Sequence, residues 1–321
     1  MTESNDADGD STPEPDGFRS ARFQRSETGG FVGVRTGAAT ATGQFDDLGL
    51  AEVDPVDIPE EDPHAERRRR RRPRAPRVWL QGGTTTLPWG WMLLGWSLVS
   101  LGAGVLIATT AGALVGGALG GWIAQIVLWV AMLAPVVYAF SRSVPRGLLR
   151  FRWTDLLFGL VLGVALRIAS GWLDEAAAGT TAWPALASTD GSLAGVDWLG
   201  DVLLPALVAP VVEELFFHAV LLVALYTVFR RLTRSHAIAG VGAALVSTGL
   251  FVMLHQLTGS LGATWAAAAS VALVGVTGAA LVLVTGRLWG AVIAHIVFNA
   301  SAVLLALVGT LLGVGGGITL A

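Results

Sequence analysis

From Trp89 onward the chain is a succession of apolar runs, each near the roughly 20 residues that a helix needs to cross the hydrocarbon core of a bilayer. In lipid every backbone N–H and C=O must be satisfied within the structure, and continuous apolar runs of this length do so as α-helices. Seven spans can be read, at about 89–111, 122–140, 154–173, 199–229, 238–258, 263–285 and 288–312. The expectation is an all-α polytopic membrane protein with about seven transmembrane helices. Glycines between Gly112 and Gly121 leave the end of the first span open, and the fourth run exceeds one straight perpendicular helix, so tilt or an interfacial extension is expected.

The arginines test that count. Arg142, Arg146, Arg150 and Arg152 lie between spans two and three, Arg230, Arg231 and Arg234 between four and five, and Arg287 between six and seven. All fall on the cytoplasmic side if the N-terminus is cytoplasmic, whereas Asp174, Glu175, Asp190 and Asp197 fill the outer loop between spans three and four. The expected localisation is the plasma membrane, with the N-terminal tail in the cytoplasm.

Composition separates the tail from the spans. Hydrophobic residues make up 53% of the chain and charged residues only 14%, yet most of the charge precedes Val78. Residues 1–77 are rich in Asp, Glu, Gly, Ser, Thr and Pro without helical or strand periodicity, and are expected to be disordered. No apolar run follows Met1, so no secretory signal is read there. The tail ends in Arg67 to Arg72, Arg74 and Arg77. Beside a membrane span, that stretch is expected to fix topology and touch anionic lipids rather than nucleic acid. Residues 78–321 then form the multi-helix membrane domain. With no cysteine in the chain, thiol nucleophiles, disulfides and thiolate metal sites are excluded.

Against this background the polar residues inside the spans are the informative ones. Span four carries Val211-Val212-Glu213-Glu214-Leu215-Phe216-Phe217-His218. A carboxylate at the bilayer centre costs about 2.5–3.5 kcal/mol on insertion scales, so acids there are functional candidates by default. Glu214 and His218 are four apart and share a helix face, while Glu213 projects about 100° away. One acid is thus expected to be held by the histidine while the other faces a cavity. Span five carries Phe251-Val252-Met253-Leu254-His255 and span seven His295-Ile296-Val297-Phe298-Asn299. In each, the outer residues again share one face. A lone membrane histidine is usually a helix-packing hydrogen bonder. Three spans that each offer one, beside a double glutamate, point to a shared polar site.

Glu-Glu, then Phe-x-x-x-His, then His-x-x-x-Asn, in that order on separate hydrophobic helices, resembles the CPBP family of CAAX-type intramembrane endopeptidases and bacteriocin-processing relatives, also called the Abi family. The likeness runs from about Asp197 to Leu312 and includes Thr285-Gly286-Arg287-Leu288-Trp289 before the third motif. It implies a helical bundle around a polar intramembrane chamber, a membrane-associated peptide or protein substrate, and peptide-bond hydrolysis within the membrane. It further implies that Glu213 activates water with His255 beside it, and that His295 and Asn299 stabilise the oxyanion. Glu214, His218, Phe251 and Arg167 are then supporting residues.

Amide hydrolysis needs a base for water, donors for the oxyanion and a proton for the leaving amine, and these residue types can supply all three. No serine or threonine has an evident base partner. The His-Glu-x-x-His zinc signature is absent, so no cofactor is required on this reading. Glu213, His255 and His295 would nonetheless make an acceptable Zn2+ set, which keeps a zinc-dependent version of the same protease open. The sequence departs from the family at His218, where arginine is usual. Arg167 in span three is the expected substitute partner for Glu214, although helix rise puts the two roughly 13 Å apart in level. If nothing replaces that arginine, an inactive scaffold of the same fold is the alternative. A transporter is the other, but no repeat relates spans one to three to the later spans.

Overall fold

The computed structural model describes residues 24–25, 31–32, 89–179, 184, 196–261 and 264–312. The chain divides into two units, Met1–Glu66 and Arg67–Ala321. In the first, β1 (Gln24–Arg25) pairs antiparallel with β2 (Phe31–Val32). Apart from those two strands, the expected disorder of residues 1–77 lies outside the described residues, as do the lipid contact of the Arg67–Arg77 stretch and the outer-loop acid Asp190.

In the second unit, seven described helices are long and apolar enough to cross a membrane, in agreement with the expected spans. They are α1 (Trp91–Val115), α2 (Gly117–Arg142), α3 (Trp153–Ala178), α4 (Trp198–Thr233), α5 (His236–Leu257), α6 (Trp265–Thr285) and α7 (Trp289–Leu312). Their boundaries follow local chemistry. At the start of α3 the Asp155 side chain accepts from the Arg152 N–H at 2.8 Å. At the start of α4 Asp197 accepts from the Leu199 N–H, while Asp201 accepts from the Asp197 N–H. Each carboxylate thereby satisfies an amide that the helix end leaves open. α1 ends at Gly116, whose φ of 69° suits glycine. That break settles where the first span stops.

The central element is α4, whose residues from Phe216 to Ala224 are almost completely buried. A helix that is apolar all round belongs inside the bundle rather than at its lipid face. Its 36 residues would reach roughly 50 Å at the α-helical rise, well beyond a hydrocarbon core of about 30 Å. The expected excess is real, and it is absorbed within one continuous helix containing two π-helical stretches, Trp198–Val208 and Glu214–Leu221.

Small residues bring the other helices close, as membrane packing requires. A Cβ on Gly163 would lie 2.6 Å from Val297 Cβ and 2.7 Å from the Ala294 carbonyl, so α3 packs almost backbone to backbone on α7. Ser170 and Ser270 join α3 to α6 at 2.9 Å, and Ser247 of α5 donates to the Phe217 carbonyl of α4 at 3.0 Å. At one end of the bundle the loop before α3 meets the loop before α7. There the Leu288 N–H donates to Leu148 and the Trp289 indole to Leu149. Arg287 also forks onto Asp155, with its Nη2 2.7 Å from Asp155 Oδ1. The Arg287 loop and the loop holding Arg146, Arg150 and Arg152 therefore lie on the same side, as the arginine count expects.

Candidate active site

α4, α5, α6 and α7 place the polar side chains of the apolar runs around one centre. Glu213 closes an α-helical turn and Glu214 opens the second π-helical stretch, a local geometry that is frequent at functional sites. The two neighbours differ sharply in environment. Glu214 is 1% exposed and Glu213 16%, and the more buried acid is the one that His218 holds.

Glu214 is held by two histidines. His218 Nδ1 lies 2.6 Å from Glu214 Oε2, and His295 Nδ1 lies 3.0 Å from Glu214 Oε1. The second nitrogen of His218 is 3.0 Å from the Gly275 carbonyl of α6. A carbonyl only accepts, so Nε2 of His218 carries a proton, and one further proton lies in the His218–Glu214 contact. The second nitrogen of His295 lies 3.7 Å from Glu213 Oε2. His218, Glu214, His295 and Glu213 thus form one chain of polar contacts across α4 and α7. His218 meets Glu214 with one nitrogen, and α6 supplies the carbonyl for its far side.

α6 also makes the room. A Cβ on Gly278 would sit 2.7 Å from His218 Cε1 and 3.0 Å from its Nδ1. Gly275 and Gly278 were not singled out in the sequence. Their three-residue spacing is the signal that marks one helix face approaching another element closely.

His255 enters through Phe251. Its Nδ1 donates to the Phe251 carbonyl of its own helix at 2.9 Å, which leaves Nε2 as an acceptor. The Phe251 ring stands edge-on to His255, with centroids 4.6 Å apart, and to His295 at 5.8 Å. It separates the two imidazoles and fixes both. Among the described residues His255 makes no ion pair with Glu213.

Asn299, one turn beyond His295, donates from Nδ2 to the Pro205 carbonyl at 2.9 Å. That carbonyl is available for a reason written in the sequence. In the first π-helical stretch the Ala209 N–H bonds Leu204, five residues back. In the same register the donor for Pro205 would be residue 210, which is a proline without an N–H. Asn299 fills the vacant place, and its second amide proton stays available.

Arg167 is not where the sequence reading put it. Its Nη2 donates to the Phe298 carbonyl at 3.3 Å, and its Cζ lies 4.1 Å from the Phe298 ring centroid. It does not pair with Glu214, whose two oxygens meet His218 and His295 instead. Its contact on α7 falls three residues beyond His295, the residue that meets Glu214.

For zinc, the 3.7 Å between His295 Nε2 and Glu213 Oε2 is compatible with two ligands of one tetrahedral ion. A third ligand is not brought to them: among the described residues no group of three His, Asp or Glu is placed to hold a metal. The residues as arranged do not make the Glu213, His255 and His295 set.

The described helices and these residues can be set beside known proteins. The family model described as Type II CAAX prenyl endopeptidase Rce1-like matches residues 195–301. No curated protein and no solved structure matches the chain. The matched segment contains Glu213, Glu214, His218, Phe251, His255, His295 and Asn299, and excludes Arg167. Over residues 195–301, the stretch that carries the polar centre, this integral membrane protein is similar to the Rce1-like type II CAAX prenyl endopeptidase family.

Proposed function

We propose that the protein is an intramembrane endopeptidase in which Glu213 activates water against a peptide carbonyl. The observation that carries this reading is the His295 bridge, with Nδ1 on buried Glu214 and Nε2 facing the more open Glu213. Glu214 acts as the anchor that orients two imidazoles, and Glu213 has the freedom a base needs.

The steps balance on these side chains. Glu213 takes a proton from water as the oxygen attacks the carbonyl carbon, and the C=O electron pair moves onto oxygen. His255 Nε2, left as an acceptor by the Phe251 bond, orients that water. The oxyanion accepts from His295 Nε2–H and from the spare amide proton of Asn299, in a water-poor site where such donors act most strongly. The two ring nitrogens of His295 each face a glutamate. Collapse of the intermediate breaks the C–N bond, and the proton held on Glu213 goes to the leaving amine.

The family description points to prenylated C-a-a-X peptides as the substrate class. The remaining readings extend the same picture: residence in the plasma membrane, a cytoplasmic N-terminus, and anionic lipid at the Arg67–Arg77 stretch, without nucleic acid. Cleavage of a prenylated C-a-a-X peptide by the purified full chain in proteoliposomes tests the function. Glu213→Gln should abolish it while the protein remains inserted.

A further inference from the structure

Arg167 is the only basic residue within α3, and its position is set by helix packing. Gly159, Gly163 and Arg167 recur every four residues on one face. The two glycines bring α3 against Ile293, Ala294 and Val297 of α7. At the next position that close approach ends, and the Arg167 side chain passes over Phe298, the residue immediately before Asn299.

The cation feels the charge of Asp174 at a distance, but no acid among the described residues touches it. Among the described residues its one hydrogen bond, at 3.3 Å, goes to a Phe298 carbonyl that already accepts from Ser301 Oγ at 2.8 Å. Nε is buried with no partner among the described residues. Among the described residues no acid comes within ion-pair reach of the guanidinium. The sequence places Asp174 two turns further along α3, where it is exposed. An intramembrane charge in this condition marks a ligand or pathway residue. A guanidinium presents planar donors matched to a carboxylate.

We infer that Arg167 is a substrate-binding residue that receives the C-terminal carboxylate of the peptide whose scissile carbonyl lies at His295 and Asn299. The inference rests on the endopeptidase reading and narrows it to peptides cut close to a free C-terminus. Three extended residues span about 10 Å, the length of a short C-terminal fragment beyond the scissile bond. A leader peptide cut far from its end has no carboxylate to place there.

Two prenylated C-a-a-X peptides, identical except that one ends in a free acid and the other in a carboxamide, provide the test. The full chain in phosphatidylcholine proteoliposomes should show kcat/KM for the acid at least about tenfold above that for the amide, mainly through KM. Arg167→Gln should bring the acid-to-amide ratio to about one, and Arg167→Lys should recover part of it. Equal cleavage of both peptides by the wild-type protein would overturn the assignment even if Arg167→Gln fails to fold, and so would a preference that survives in Arg167→Gln. Cleavage of neither peptide by the wild type would instead contradict the endopeptidase reading and take the inference with it.

Discussion

Glu214 has two carboxylate oxygens, and each meets a histidine. This division of labour with Glu213 was half legible in the sequence. The four-residue spacing of Glu214 and His218 announces their contact, but nothing in one dimension shows that His295, 81 residues away, takes the other oxygen. Nor could spacing alone show that Arg167 meets Phe298 rather than Glu214. Two predictions belong at this scale. His295→Ala should lower kcat by about 10²–10⁴-fold, the range of a positioned acid–base or oxyanion group, with the mutant still inserted and monodisperse by size-exclusion chromatography. Gly278→Ala drives a methyl into His218, which has no flexible end to move aside. Overpacking of this kind costs about 1–3 kcal/mol. Thermal unfolding in detergent should register that loss, and peptidase activity should fall with it, because the displaced ring is the one that holds Glu214.

Among the elements, α4 departs most from simple expectation. Its length was evident from the apolar run, whereas its π-helical stretches were not, because hydropathy has no signature for a five-residue hydrogen-bond register. The prolines at 205 and 210 were the available clue. Their spacing equals that register, so the second removes the donor that the carbonyl of the first would have used. Pro210→Ala restores an N–H that competes with Asn299 for the Pro205 carbonyl. It should lower kcat by about tenfold, the scale set by one hydrogen bond to an oxyanion donor, while KM stays near the wild-type value. The same change made in Asn299→Ala should add little, and a double-mutant cycle measures that coupling. The join between α3 and α7 gives a stability counterpart. Asp155 is 1% exposed and is bound by Arg287, so Asp155→Ala leaves a partly buried guanidinium unpaired. A loss of about 3–5 kcal/mol is expected from chemical unfolding.

At the level of the whole molecule, seven spans and the side of the bundle that holds the arginine loops were readable because lipid permits so few backbone solutions. The convergence of α4, α5 and α7 on one polar centre, with α6 as the wall behind His218, required the fold. A chain without cysteine makes orientation simple to measure. Single substitutions Ser141→Cys and Ser192→Cys in intact vesicles should label from the cytoplasmic and the outer side respectively. Deleting residues 1–66 should leave that pattern unchanged, since the arginine run remains. Labelling of both sites from one side would contradict the seven-span topology.

The central claim is hydrolysis by water activated at Glu213, and one measurement addresses it most directly. Cleavage of a prenylated C-a-a-X peptide should be followed in proteoliposomes for the wild type and Glu213→Gln, each before and after exhaustive chelation, with bound metal determined by elemental analysis. The account predicts wild-type turnover that persists after chelation without stoichiometric zinc, and a loss of about 10³-fold or more in Glu213→Gln. Wild-type turnover in Glu213→Gln, or activity lost to chelator and restored by zinc, would contradict it.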